Sequence, residues 1–200
     1  MSVKQNIISA AQELFFSKGI RRVTVDEIAS KLKISKKTFY EHFENKDEVV
    51  YELVKHHLKT HKEKIEELIK KSDNIIEQTL SLVTCSSEMM KSINPVVFED
   101  LKTFYPKAWK YLEEFKKNFI MDTIIKELEK GQKQGLIRKN INIKLMAYLR
   151  LLQINLLFET DVLEKFNISF DELQKQLTTH FLYGISTEKG IKILEKYIQH

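Results

Sequence analysis

Apolar residues recur at helical spacing from the first turns onward. Between residues 3 and 17, Ile7, Ile8, Ala10, Ala11, Leu14 and Phe15 share one side of a 3.6-residue repeat. Gly19 stops that helix. Thr24 to Glu27 reads T-x-x-E, a capping box, and Val25, Ile28, Ala29 and Leu32 follow on one face. Only Lys33 and Ile34 separate this helix from Ser35, an N-cap for a third helix that the pattern ends near Phe43. Asn45 and Glu48 open a fourth helix, expected to run to about Lys71. A short turn between two short helices is the helix-turn-helix arrangement.

The remaining pattern is again helical, in longer pieces. Residues 74–92 are apolar nearly all round, which predicts a central, buried helix. Asn94-Pro95 opens a short helix with Pro at its first position. Another helix starts at Pro106 and is expected to continue to about Gln134, and a very apolar one spans 143–160. Ser169 to Glu172 is a third capping box, followed by the stripe Phe170, Leu173, Leu177 and Phe181 up to Gly184. Residues 188–198 make a last helix. The expected fold is all-α. A helix-turn-helix DNA-binding domain at 1–46 precedes a larger helical domain at 47–200.

Composition narrows this further. Only 5 Gly and 2 Pro occur in 200 residues, too few for a chain rich in turns and strands. The net charge of +5 is mild, but residues 20–46 carry seven basic and four acidic side chains. That local excess suits an anionic partner. Cys85 is the only cysteine, so no internal disulfide forms and a reducing, cytoplasmic setting fits. Lys4, Gln5, Gln12 and Glu13 interrupt the N-terminus, which does not read as a signal peptide. The most apolar run is broken by Arg150, Gln153 and Asn155 and is too short to span a bilayer, so no membrane role is expected. There is no Gly-rich phosphate loop, no H-E-x-x-H and no nucleophile elbow. Neither an enzyme nor a cofactor is expected.

The segment "KKTFYEHFENK" at 36–46 combines aromatic surface with charge. At about 100° per residue, Phe39 and Phe43 define its buried side. Lys37 and Glu41 point the opposite way, with Thr38 and Tyr40 on the flanks and Lys36 and His42 at the edges. Such a helix is anchored from behind and presents donors in front, as a helix in a major groove must. Lys36 and Lys37 suit phosphate or the O6 and N7 atoms of guanine. Thr38 suits a thymine methyl or a phosphate, and Tyr40 a phosphate at the groove lip. Lys46 with its backbone N–H, and Thr24, stand at helix N-termini where anions bind. Ser35 and His42 complete the candidate DNA-binding set. Glu41 has two readings: it accepts from a cytosine amine, or it pairs with Lys37 at i, i+4.

The features "AA-x-ELF-x(3)-G", "T-V-D-E-I-A", "I-S-K-x-T-F-Y-x-H-F" and "N-K-x-E", in their joint spacing over residues 7–50, resemble the N-terminal domain of TetR-family transcriptional regulators. Further on, "LEKGQKQGLIRKNIN" and "FLYGIST" resemble that family only in outline. Members often carry Gly where Lys33 and Lys37 stand. A Lys at positive φ in the turn would cost roughly 1 kcal/mol. The resemblance implies a homodimer whose recognition helices enter successive major grooves of a palindromic operator. It also implies a C-terminal domain that binds a small ligand and thereby releases the DNA. It puts residues 143–184 at the dimer interface, with Leu149, Leu152 and Leu156 on one helix and Phe170, Leu173, Leu177 and Phe181 on the next.

A ligand among the later helices would meet an apolar and aromatic lining, for which Cys85, Met89, Phe98, Phe104, Tyr105, Trp109 and Phe119 are the candidates. The same residues equally suit plain core packing. Gln153 and Asn155, with Arg150, interrupt an apolar helix; they orient a ligand, bond across a subunit interface, or lie at the edge of the buried face. His57 and His61 have metal-compatible spacing, but nothing nearby completes a site, so no metal is expected. The reading is a sequence-specific DNA-binding regulator, a repressor released by a small, largely apolar effector. The alternative is the same fold without an effector, acting through a protein partner or architecturally.

Overall fold

The computed structural model describes residues 2–198, and of Thr160 and Asp161 the backbone only. The described residues form twelve α-helices and one π-helical turn, with a single isolated bridge between Ile137 and Ser186. The helices are α1 (Val3–Lys18), α2 (Val25–Leu32), α3 (Lys36–Tyr40), α4 (Lys46–Lys71), α5 (Ile75–Met90), α6 (Val96–Phe104) and α7 (Pro106–Phe115). After the π turn Lys116–Ile120 come α8 (Met121–Lys133), α9 (Ile143–Leu156), α10 (Thr160–Phe166), α11 (Phe170–Ile185) and α12 (Glu188–Ile198). None of the described helices is long and apolar enough to cross a membrane.

The expected caps largely form. Thr24 accepts from the Glu27 N–H while the Glu27 carboxylate accepts from the Thr24 N–H, closing the capping box of α2. Helix α1 has a capping box as well, Ser2 with Gln5, beyond those the sequence pattern predicts. At α11 only half of the box is made: Ser169 accepts from the Glu172 N–H. The pattern misjudged four places. Helix α3 stops at Tyr40, not Phe43, because the chain turns through Glu41 and His42. Pro95 is the cap of α6 and not its first residue. The expected single helix from 106 to 134 contains the π turn, and α9 ends at Leu156 before the separate α10.

The chain packs as two compact units. The first comprises residues 1–62 and 89–114, and the second 63–88 and 115–200. This division differs from a cut after residue 46, because α6 and nearly all of α7 pack with the N-terminal helices. In the first unit Phe15, Phe39 and Phe43 are sealed in one core with Val97, Leu101 and Tyr105. Gly19 fixes the chain's exit from α1. Its φ of 86° is left-handed, and an added Cβ would lie 2.7 Å from Val96 Cγ1. The second unit builds its core from α5, α8, α9, α11 and α12 around Ile76, Leu128, Ile137 and Leu182.

Helix α5 departs from the expectation of burial. From Thr79 to Glu88 no residue is buried, and only Thr84 and Glu88 are fully exposed. Ile75, Ile76 and Gln78 at its start are buried, and the later turns stay partly exposed, with Thr84 and Glu88 marking the most open side.

Candidate functional site

Three local devices hold α3 in place. Phe39 and Phe43 are buried, with ring centroids 5.9 Å apart. Ser35 caps the helix by accepting from the Thr38 N–H at 3.0 Å. Lys33 takes the left-handed conformation, φ 55° and ψ 37°, and lets the Ile34 N–H reach Ala29 O at 3.0 Å. The turn therefore has the geometry that Gly favours, occupied by Lys.

The outward face matches the wheel. Lys37 is exposed and Tyr40 is 53% exposed, while Thr38 and His42 are half-buried. The Thr38 hydroxyl lies 3.0 Å from Ser35 Oγ. Lys36 pairs with Asp26 at 2.8 Å, an exposed contact that water weakens. Glu41 lies past the end of α3, and no ion pair joins it to Lys37. Arg22, Lys33 and Lys37 have no ion-pair partner among the described residues.

Lys46 is a different kind of residue from the one expected. Its ammonium donates to Val23 O at 2.9 Å and Ile20 O at 3.1 Å and lies over the Tyr105 ring. Burial lowers its pKa. The side chain braces the loop between α1 and α2 and is not turned outward to a phosphate. Only the backbone N–H at the start of α4 remains for that role. The same loop is held from α6: the Arg21 N–H donates to Asp100 Oδ2 at 2.8 Å, and the Arg21 guanidinium sits 4.5 Å from the Phe104 ring. Asp100 is 6% exposed, and sequence reading gave no signal for it, since its partner lies 79 positions away.

The candidate ligand residues do not share one unit. Met89, Phe98, Phe104, Tyr105 and Trp109 belong to the first. Tyr105 is a core residue there, with burial pushing its phenol up to about 12 and Asp47 and Asp100 adding to the shift. Met89, Phe98 and Trp109 pack against that core, and Phe104 is exposed beneath Arg21. Cys85, Phe119, Gln153 and Asn155 belong to the second unit. There, Asn155 accepts from the buried Lys116 at 2.8 Å and Gln153 accepts from Arg150 at 3.2 Å. Phe119 stacks obliquely on Phe115 in the π turn.

The expected interface stripe also divides. Leu173 and Phe181 are buried within the chain, so they pack inward and are not free for a partner. Phe170, Leu156 and Leu177 are half-buried. On α9, Leu149 and Leu152 are exposed, together with Leu145 and Tyr148, which the expected interface stripe does not include. These four form one continuous helical stripe. His57 and His61 gather no third ligand: no group of three metal-binding side chains occurs among the described residues.

An all-α chain with a capped helix-turn-helix followed by a larger helical part is the architecture of a DNA-binding regulator. Residues 7–53 match the family model described as bacterial regulatory proteins, tetR family. The chain is 28% identical over 141 residues to the HTH-type transcriptional regulator YdeS of Bacillus subtilis (strain 168), covering 69% of each. It is 24% identical over 187 residues to YvaF of the same organism, covering 92% of this chain and 96% of that one. The structure of the transcriptional regulator FadR from Bacillus subtilis, in complex with stearoyl-CoA, shares the fold with a TM-score of 0.69 at 19% identity, over 90% of this chain and 98% of that one. Over residues 7–53 the chain matches the tetR family of bacterial regulatory proteins, and over most of its length it shares that fold.

Proposed function

We propose that this chain is a homodimeric, cytoplasmic repressor without enzymatic activity that releases a palindromic operator when a small, largely apolar ligand binds. The observation that carries the DNA half is the setting of α3. Two buried phenylalanines fix its back, and Lys37 and Tyr40 stand free on its front. Lys37 reads base edges and adds to phosphate attraction, Tyr40 and Thr24 hold phosphates, and Arg22 adds a cation beside Thr24. Ser35, Thr38, Lys36 and His42 complete the face, with the α4 N-terminus at Lys46 offering a backbone donor.

The stripe Leu145, Tyr148, Leu149 and Leu152 is the face we assign to the second subunit, because four exposed large apolar side chains on one helix need cover. For the ligand half, support comes from the apolar residues of α5 that stay only partly covered, Leu82, Val83 and Cys85, and from the FadR neighbour, whose structure holds stearoyl-CoA. Residues 89–114 supply the link. They pack with the DNA-binding helices yet are joined in sequence to the second unit at both ends.

The test is capture of sheared genomic DNA by the purified protein near physiological salt, with sequencing of the bound fragments. An enriched palindrome supports a sequence-specific dimer, and the genes beside it narrow the ligand. Only general, salt-sensitive binding would instead favour an architectural role without an effector.

A further inference from the structure

Arg150 is 8% exposed, on α9 in the second unit. It donates to Thr178 Oγ1 at 2.8 Å and to Gln153 Oε1 at 3.2 Å, both neutral acceptors. Its guanidinium also lies 5.4 Å from the Phe181 ring. No carboxylate pairs with it among the described residues. Two of the five N–H groups a guanidinium carries are thus occupied, and no negative charge answers the positive one. Burial lowers its pKa to about 10, which leaves it charged near neutral pH. A buried charge without a counter-charge costs several kcal/mol, so such groups are normally paired.

The missing anion has two possible sources, a ligand or a second subunit. Helix geometry separates them. Arg150 lies about 150° around α9 from the centre of the exposed stripe Leu145, Tyr148, Leu149 and Leu152. A partner seated on that stripe is on the wrong side of the helix. The guanidinium faces α11 instead, where Thr178 and Gln174 make the inward surface polar, and Gln174 bonds to Ser86 and Ser87 of α5. Around Ser86 and Ser87, α5 is the half-covered apolar helix, with Leu82, Val83 and Cys85 all only partly packed. A cationic, hydrogen-bonding end therefore adjoins partly exposed apolar side chains of α5.

We propose that the effector is an anionic amphiphile whose carboxylate or phosphate head is held by Arg150 and Thr178 and whose apolar tail lies along α5. A guanidinium fork binds either head through two parallel hydrogen bonds. This rests on the reading of the second unit as ligand-binding.

The experiment is calorimetric titration of the full-length protein with probes that share a tail and differ in charge: decanoate, decyl phosphate, decanol and decyltrimethylammonium, each below its micelle concentration, with the hexyl and tetradecyl series alongside. One of the anions should bind wild type at least about tenfold tighter than the alcohol, the gain expected of a charge-assisted contact. Which anion wins separates a carboxylate from a phosphate ligand. That preference should vanish in Arg150→Met and partly survive in Arg150→Lys. Alcohol or ammonium binding as tightly as the anions overturns the anionic head while leaving a ligand-binding unit standing. No binding by any probe overturns both. A second readout needs no ligand: Arg150→Met should keep or raise the thermal midpoint, because it removes an uncompensated charge. A fall of several degrees would mark Arg150 as structural and overturn the assignment.

Discussion

Asp100 Oδ2 accepts the backbone N–H of Arg21 at 2.8 Å, joining α6 to the loop that leads into α2. The acceptor is buried, so Asp100→Ala strands a donor where water reaches poorly. The variant should lose about 1–3 kcal/mol, read as a lower urea midpoint at unchanged slope. Asp100→Asn keeps an acceptor and should lose less. Equal losses would mean that the side chain's charge, and not this bond, holds the loop.

Lys33 occupies a left-handed position. Lys33→Gly removes the steric cost of a Cβ there but frees the unfolded chain, and the first effect is larger. The net gain should be about 0.5–1 kcal/mol in denaturant titration. A loss would show that Lys33 makes a stabilising contact of its own.

Gly19 combines positive φ with a close approach to Val96 and Asp100. Gly19→Ala should therefore destabilise by about 2–3 kcal/mol, since strain and overpacking add. Pairing it with Val96→Ala should recover part of that loss, measurable as a double-mutant cycle.

On DNA, Tyr40→Phe should weaken all sequences by a similar factor, as a phosphate contact does. Lys37→Ala should alter base preference and reduce the salt slope by about one unit. A Tyr40→Phe effect confined to one base position, or an inert Lys37→Ala, would remove that residue from its assigned role.

His61 gives stability a pH dependence. Burial, with neighbouring His57 second, lowers its pKa to about 4, against about 6.5 in an unfolded chain. Between those values the unfolded chain binds more protons, so this contribution is complete above about pH 6.5 and is lost as pH falls toward 4. Discounted for partial exposure, the loss is about 1–2 kcal/mol. His61→Gln should flatten the wild-type decline in thermal midpoint over that range. Parallel profiles would contradict it.

How much of this was legible depended on the range of the interaction. Thr24, Ser35 and Phe39 act within four residues, and local spacing revealed their roles. Lys33 could be marked as strained because the TetR family often carries Gly at that place in the turn. Asp100 could not be found, since its partner is distant and its own segment looks like an ordinary amphipathic helix. Lys46 hides its role for the same reason: a cation at a helix start reads as an anion site, and only the folded chain brings the carbonyls of Ile20 and Val23 to its ammonium. Leu173 and Phe181 lie on a sound apolar stripe, but periodicity does not say whether the face it marks meets the same chain or another. The π turn at Lys116–Ile120 leaves no mark, because its residues are all acceptable in an α-helix.

The discontinuous first unit governs what can be cut or exchanged. A fragment ending at residue 46, or even 62, would leave behind Val97, Leu101 and Tyr105, and so part of the core that supports Phe15 and Phe39. The DNA-binding half is therefore not a detachable module. A chimera that transplants it into a relative has to bring residues 89–114 along, or redesign the surface they cover.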